Sequence, residues 1–330
     1  MNSIDPSPAP LLRIGTRGGA LALWQAGEVA RRIVAGHPAV TIDLQPIRTT
    51  GDRVLATPLA QIGRKGVFTG EIEDALLEGA IDIAVHSLKD LPTRLPDGLA
   101  LAAVLDRADP RDVLVAPRGT TLGGLPPGAR IGTSSVRRRA QLLAAHPQLL
   151  VLDVRGNVLT RLEKLDRGEY DALVLAHAGL KRLRLEARVA EVIEVEVVVP
   201  AAGQGALAVE ARDGDARVAS LVRALDDRPT RLATCAERAF LARLDGGCQA
   251  PIGTLGTWAD SVLTLVGLVA DLRGIRVVRG NSQAAVHTEA EAEELGVRLA
   301  ERLLQQGAAD ILADVHAIPR GGPGLDRDEP

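Results

Sequence analysis

The chain has 330 residues, a net charge of −3 and 46% hydrophobic residues, enough to build sizeable cores in two or three domains. Aromatic residues make up only 2%, and no basic run is interleaved with stacking side chains, which argues against a nucleic-acid partner. No stretch approaches the ~18 to 20 apolar residues of a membrane span, and the opening MNSIDPSPAP lacks the basic and apolar parts of a signal peptide, so a cytoplasmic protein without a membrane partner is expected.

Short β-type runs alternate with amphipathic helical patterns along most of the chain. LLRIG (11–15) leads into ALALWQAGEVARRIV (20–34), TIDLQPIRT (41–49) precedes FTGEIEDALLEG (68–79), and IDIAVHS (81–87) follows. Further on, ARIGT (129–133), SSVRRRAQLLAAH (134–146), LLVLDVR (149–155), NVLTRLEKLDRG (157–168), DALVLA (171–176) and AGLKRL (178–183) repeat the alternation. Such alternation predicts an α/β fold with largely parallel sheets. The two halves echo each other: Ile14-Gly15-Thr16 resembles Ile131-Gly132-Thr133, and DALLEGAIDIAVHSLK (74–89), with Asp82, resembles EKLDRGEYDALVLAHAGLK (163–181), with Asp171. Two similar lobes facing a cleft are therefore expected, the first over 9–105 and 206–225, the second over 106–205. PTRLATCAERAFLARL (229–244), a strand-like stretch and the helical EAEELGVRLAERLLQQG predict a small α+β domain over 226–318, followed by a Gly-, Pro- and charge-rich disordered tail, 319–330.

Arginine is the default base: lysine occurs only at Lys65, Lys89, Lys164 and Lys181. Bases gather where strands hand over to helices, at Arg13 and Arg17, at Arg64 and Lys65, at Arg137, Arg138 and Arg139, at Arg155 and Arg161, and at Lys181 and Arg182. In open α/β sheets ligands bind at the carboxyl ends of strands, where helix N-termini also favour anions, so the cleft should hold carboxylates or phosphates. Thr133, Ser134 and Ser135 open a helix and read individually as caps; beside Arg137 and Arg138 they also read as anion partners. Asp90, in HSLKDLP, reads either as a solvated turn aspartate or as a carboxylate that stabilises a cation or moves protons. Cys248 and Cys235 are the only cysteines, and both are expected free. Cys248 sits in the glycine turn DGGCQAPIG (245–253), where it is either a small buried hydrophobe or an attachment point. His86 and His177 close apolar strands and read as packed. No P-loop, dinucleotide fingerprint or metal-ligand spacing appears.

GTRGGALALWQA (15–26), PLAQIGRKGVFTGEIEDALLEGAIDIAVHSLKDLP (58–92), DPRDVLV (109–115), IGTSSVRRRAQL (131–142), VRGNVLTRLEKLDRGEYDALVLAHAGLKRL (154–183), PAAGQGALAVEAR (200–212) and AERAFLARLDGGCQAPIG (236–253) together resemble the porphobilinogen deaminase family over about residues 11–315. The resemblance implies two periplasmic-binding-protein-like lobes with a cleft, plus a small C-terminal domain. It implies a monomeric transferase that condenses four porphobilinogen molecules, with release of ammonia, into the linear tetrapyrrole hydroxymethylbilane. The primer would be one covalent dipyrromethane cofactor per chain, carried by a thioether on Cys248. The catalytic aspartate would be Asp90. Cofactor contacts would come from Ser87, Lys89, Thr133, Ser134, Ser135, Arg137 and Arg138, and substrate contacts from Arg17, Lys65, Arg155, Arg161, Arg182 and Gln204, with no metal. Lobe movement would turn on the crossovers near 105 and 205, and a loop from Leu55 to Phe68 would make room. Gly19 and Gln61 stand where the family more often has serine and lysine, which weakens the anion grip at the cleft edge.

A non-catalytic two-lobed anion-binding protein is the main competing reading, since such lobes also serve as solute receptors and fold alone does not fix function. A cysteine-nucleophile acyl transferase is weaker, because no histidine is paired with Cys248 by motif.

Overall fold

The computed structural model describes residues 11–50, 69–245 and 250–317. Cys248, Lys65, Gln61 and the loop from Leu55 to Phe68 lie outside the described residues, as does the segment after 317. A first lobe begins with β1 (Leu11–Arg17), α1 (Ala20–Gly36), β2 (Thr41–Ile47), α2 (Gly70–Leu77), β3 (Ile83–Ser87) and β4 (Leu99–Val104). The chain then crosses to a second lobe, formed by β5 (Asp112–Val115), β6 (Arg130–Gly132), α3 (Val136–Ala145), β7 (Leu150–Leu152), α4 (Val158–Asp166), β8 (Ala172–Ala176), α5 (His177–Arg182) and β9 (Val189–Val192). It returns to the first lobe with β10 (Leu207–Arg212) and α6 (Ala216–Val222). A third unit follows, with α7 (Arg228–Arg243), β11 (Ile252–Ala259), β12 (Val262–Ala270), β13 (Val277–Ala285), α8 (Glu289–Leu303) and α9 (Ala309–Ala317).

The lobe sheets run β2-β1-β3-β10-β4 and β7-β6-β8-β5-β9, two copies of one strand plan. Within them β1 is parallel to β2 and β3, and β6 is parallel to β7 and β8. β10 and β5 are antiparallel to both of their neighbours, so the sheets are mixed rather than largely parallel. The crossovers explain the reversal. Each crossing strand enters at the carboxyl end of its sheet, Leu207 opposite Ser87 and Asp112 opposite Ala176, and can only run back the other way.

Sequence periodicity sets the packing. α1 buries Ala26, Val29, Ala30 and Ile33, a helical stripe that packs with Ile14, Ile83 and Val209 in the first lobe core. β8, ALVLA, is apolar throughout and buried almost throughout, as expected of a strand covered on both faces. In the third unit α7 and α8 bury Phe240, Leu295 and Leu299 with Leu263 and Leu265 of β12. α7 starts at the Asp227 cap, with Pro229 in its first turn, and α8 starts in a full capping box of Thr288 and Glu291.

The echo between the halves extends to side-chain detail at the amino ends of the sheets. Asp82 Oδ2 accepts from Arg13 N at 2.8 Å and Arg13 Nε at 3.1 Å, and Asp171 Oδ2 accepts from Arg130 N at 2.7 Å and Arg130 Nε at 3.2 Å. Each aspartate also returns its own N–H to that arginine's carbonyl at 2.9 Å. Arg13 is thus a strand-start clamp, and the structure removes it from the basic set at the strand ends.

Candidate active site

The crossovers bring the carboxyl ends of the two sheets to one place. β3 ends at Ser87 and passes into a 3-10 turn over Leu88–Asp90, which buries Leu88 and leaves Asp90 exposed. Between them Lys89 is half-buried and reaches across: Nζ donates to Gln204 Oε1 at 3.4 Å. Gln204, 1% exposed, belongs to the returning crossover, and its Nε2 donates to Pro110 O at 2.6 Å and to Asp112 Oδ1 at 2.9 Å. Gln25, on the buried stripe of α1, donates through Nε2 to Ser87 Oγ at 2.8 Å and fixes that hydroxyl.

In the second lobe β6 hands over to α3 through Thr133, Ser134 and Ser135. Ser135 is the cap and accepts from Arg138 N at 3.4 Å; Ser134 Oγ donates to Val154 O at 2.8 Å; Thr133 Oγ1 accepts from Ser135 N at 3.3 Å. Ser135 thus caps the helix, while Ser134 and Thr133 bond neighbouring backbone. Arg137 and Arg138 are not open grips. Arg137 Nη1 donates to Asp112 Oδ2 at 2.8 Å and Val199 O at 2.6 Å, while Arg138 donates to Asp112 Oδ1 from Nε at 3.1 Å and Nη2 at 2.7 Å and to Val174 O from Nη1 at 3.1 Å. Nε and Nη2 of Arg137 are not used in these bonds. Asp112 is fully buried; burial works against its charge, but the two guanidiniums overcome this and hold the carboxyl far below its ordinary range.

Positive charge is concentrated here. Burial pushes Lys89 down to about 8, with Asp90 and Asp112 opposing and Arg138 and Arg137 assisting. Burial also pushes Arg161 down to about 10, and Arg138 and Arg155 add to the effect. Lys89, Arg138, Arg161 and Arg155 thus form one tract that spans both lobes. Arg155 leans on Asp153 (Nε to Oδ2, 3.0 Å), and Arg161 Nε donates to Gly156 O at 2.8 Å. Arg17 lies half-buried at the end of β1.

Arg182 is separate from that tract. It is 9% exposed, donates through Nη2 to Gly205 O at 2.6 Å, and has its guanidinium carbon 6.0 Å from the Trp24 ring centre, so it sits at the junction of α1, α5 and the crossover. Beside it is a second node. Glu237 of α7, fully buried, accepts from Arg107 Nη1 at 2.5 Å and Nη2 at 3.1 Å, from Gly203 N at 2.6 Å and from Gly256 N at 2.7 Å. Gly205 has φ +92 in this crossover, and a Cβ there would lie 2.4 Å from Ala108 O, so no other residue fits without backbone movement.

His86 and His177 are packed, His86 Nε2 lying 3.1 Å from buried Glu210 and His177 Nδ1 3.1 Å from Asp109. Gln25 and Asp112 lie inside GTRGGALALWQA and DPRDVLV, yet neither stands among the expected contacts. Their signal was a polar residue on an apolar helical stripe and an acid heading an apolar strand.

The family profile described as "Porphobilinogen deaminase, dipyromethane cofactor binding domain" matches residues 12–220, and "Porphobilinogen deaminase, C-terminal domain" matches 232–305. The chain belongs to the porphobilinogen deaminase family. A porphobilinogen deaminase of Syntrophotalea carbinolica is 51% identical over 308 residues, covering 93% of this chain and 97% of the relative. Among solved structures, the BenM effector-binding domain with benzoate is similar with a TM-score of 0.42 and 15% identity, over 66% of this chain and 91% of that one. A putative methionine-binding lipoprotein of Bacillus subtilis gives 0.41 and 14%, over 68% and 94%.

Proposed function

We propose that the chain condenses four porphobilinogen molecules into hydroxymethylbilane, with loss of ammonia at each addition. Family membership supports the reaction. The observation that carries the reading is the meeting of one exposed carboxylate, Asp90, with a cationic tract shared by both lobes. Each pyrrole ring brings two carboxylates, and solvent-exposed ion pairs at ~0 to 1 kcal/mol each would not order a growing chain. Charge-assisted bonds in a partly buried tract contribute roughly 1.5 to 3 kcal/mol each and would.

In this reading Lys89, Arg137, Arg138, Arg155, Arg161 and Arg17 hold ring carboxylates, with Ser87, Thr133, Ser134 and Ser135 as hydroxyl partners. Lys65 belongs to the same set through its place in the loop. Asp90 accepts from pyrrole N–H groups and offsets the positive charge that develops as ammonia leaves. Arg182 and Gln204 act at the lobe junction, holding the crossover that joins the two halves of the site.

The dipyrromethane cofactor suits this donor set. Among the described residues Lys89 has a neutral amide and no carboxylate as its hydrogen-bond acceptor, and the N–H groups of Arg137 that bond neither Asp112 nor Val199 provide further carboxylate donors. Bound to Cys248, it supplies the primer end to which the first ring is added. Lys89, Arg137 and Arg138, with Ser87 and the Thr133–Ser135 hydroxyls, are the residues that would hold it. We take the enzyme to be a monomer of the cytoplasm acting on a small molecule, with no nucleic-acid or membrane partner.

Purified protein incubated with porphobilinogen should release ammonia and yield hydroxymethylbilane. Its intact mass should exceed that of the polypeptide by one dipyrrole, and Cys248→Ala should lose that increment. Absence of ammonia release would overturn the function; a bare polypeptide mass with full turnover would overturn the tether.

A further inference from the structure

Asp112, like Glu237, is a carboxylate fully buried where the lobes meet, and among the described residues its four side-chain hydrogen bonds come from three residues on two segments: Arg137 and Arg138 of α3, and Gln204 of the returning crossover. An acid fully buried at the head of an apolar strand is costly unless matched, and here it is matched by the two guanidiniums that face the site. Its reach is longer than its contacts. Gln204, gripped through Nε2, presents Oε1 to Lys89 of the other lobe, so one carboxylate is linked to three cations, two directly and one through an amide.

We infer that Asp112 is the positioning residue of the anion site: a built-in carboxylate that fixes the two arginine planes and, through Gln204, the lysine opposite, so that their remaining N–H groups are aimed before any ligand carboxylate arrives. The charge sum fits. Lys89, Arg137 and Arg138 carry three positive charges, and Asp112 cancels one. What remains is two positive charges for ligand carboxylates, to which Arg161 of the same tract adds, before exposed Asp90 is counted. Without Asp112 two buried guanidiniums would repel each other and Lys89 with no fixed anion between them. This inference about substrate grip rests on the reading above, but the electrostatic link from Asp112 to Lys89 can be tested without any turnover.

Amine-reactive labelling followed by peptide mass spectrometry reads the protonation of Lys89 across pH, with exposed Lys181 as an internal reference. The charges facing Lys89 are Asp90 in its own turn, Arg137 and Arg138 from α3, and Asp112 at the head of β5. Asp112→Asn removes one of the two attractive charges, so the Lys89 labelling midpoint should fall by about one pH unit while Lys181 does not move. In turnover, KM for porphobilinogen should rise at least tenfold with a smaller change in kcat, and the alkaline limb of kcat/KM should shift to lower pH. An unchanged Lys89 midpoint in folded Asp112→Asn protein would overturn the inference, whether or not the protein turns over porphobilinogen. Should Asp112→Asn not fold, Asp112→Glu decides. It keeps the charge but moves it by one methylene, so the Lys89 midpoint should stay while KM rises several-fold; an unaltered KM, or a midpoint as displaced as a neutral residue would give, sinks the proposal.

Discussion

The two lobes share a strand order and a strand-start clamp but differ at the opposite end of each sheet. In the first lobe the backbone turns after β3 and exposes Asp90 beside Lys89; in the second the chain enters α3 through a hydroxyl cap and two arginines backed by buried Asp112. The amino ends of the two sheets are alike and the carboxyl ends are not. One duplicated plan has thereby diverged, with an exposed carboxylate beside a lysine on one side and a buried carboxylate carrying two arginines on the other.

Asp90→Asn tests that division most sharply. Because the side chain is exposed and outside any core, the fold and denaturation midpoint should stay put while ammonia release falls by about 10²- to 10⁴-fold. Near-normal release would overturn the role proposed for Asp90.

The clamps offer a second test, since they match in geometry and differ in surroundings. Asp82 is 5% exposed and also lies 2.8 Å from Arg217, whereas Asp171 is 42% exposed and, among the described residues, pairs with Arg130 alone. Asp82→Asn should therefore cost about 2 to 3 kcal/mol, and Asp171→Asn under about 1 kcal/mol, in urea unfolding. Burial works to raise the pKa of Asp82, but the Arg13 bonds outweigh it and leave it below the ordinary aspartate value. Its contribution is thus complete above the unfolded pKa of about 3.9 and is lost as pH falls through the lower folded value. Equal costs for the two substitutions would mean that the lobes rely on their clamps alike.

Lys89 links the halves and gives a third. Its folded pKa is depressed to about 8 by burial, so the charged form is penalised below that pH, and the penalty is relieved as pH rises toward the unfolded lysine range. The carboxylate grip proposed for Lys89 needs that charge. kcat/KM for porphobilinogen should fall above pH 8, to about a tenth of its plateau near pH 9, and the limb should vanish in Lys89→Arg. The smallest effect belongs to Gly19. It caps α1 without a side-chain bond, at φ −77 and with open space where a Cβ would go. Gly19→Ser should add a few tenths of a kcal/mol in stability and tighten substrate binding modestly.

Much of this was readable from sequence because local pattern and tertiary role coincide. The α1 stripe, the apolar run 172–176 and the Thr133–Ser135 cap each form what their spacing predicts. Strands such as β4, β9 and β11 carry no comparable local mark, since their pairing depends on partners far along the chain. The antiparallel entry of β5 and β10 follows from where the crossovers join the sheets, which no window of residues contains. The same holds at the site. Arg137 and Arg138 are visible as bases near a strand end, but the acid that occupies them comes from 25 residues earlier, and the amide that extends the network is 92 residues beyond that acid.

The Glu237 node bears on motion. Glu237 joins Arg107 of one crossover to Gly203 of the other and belongs to α7, whose last residue, Arg243, lies about 9 Å further along the helix axis. Any swing of the lobes about these crossovers therefore turns around a helix bolted to the axle itself. That helix ends at Arg243, five residues before Cys248 in the chain, so the proposed attachment point follows in sequence directly on the element that ties the two crossovers together.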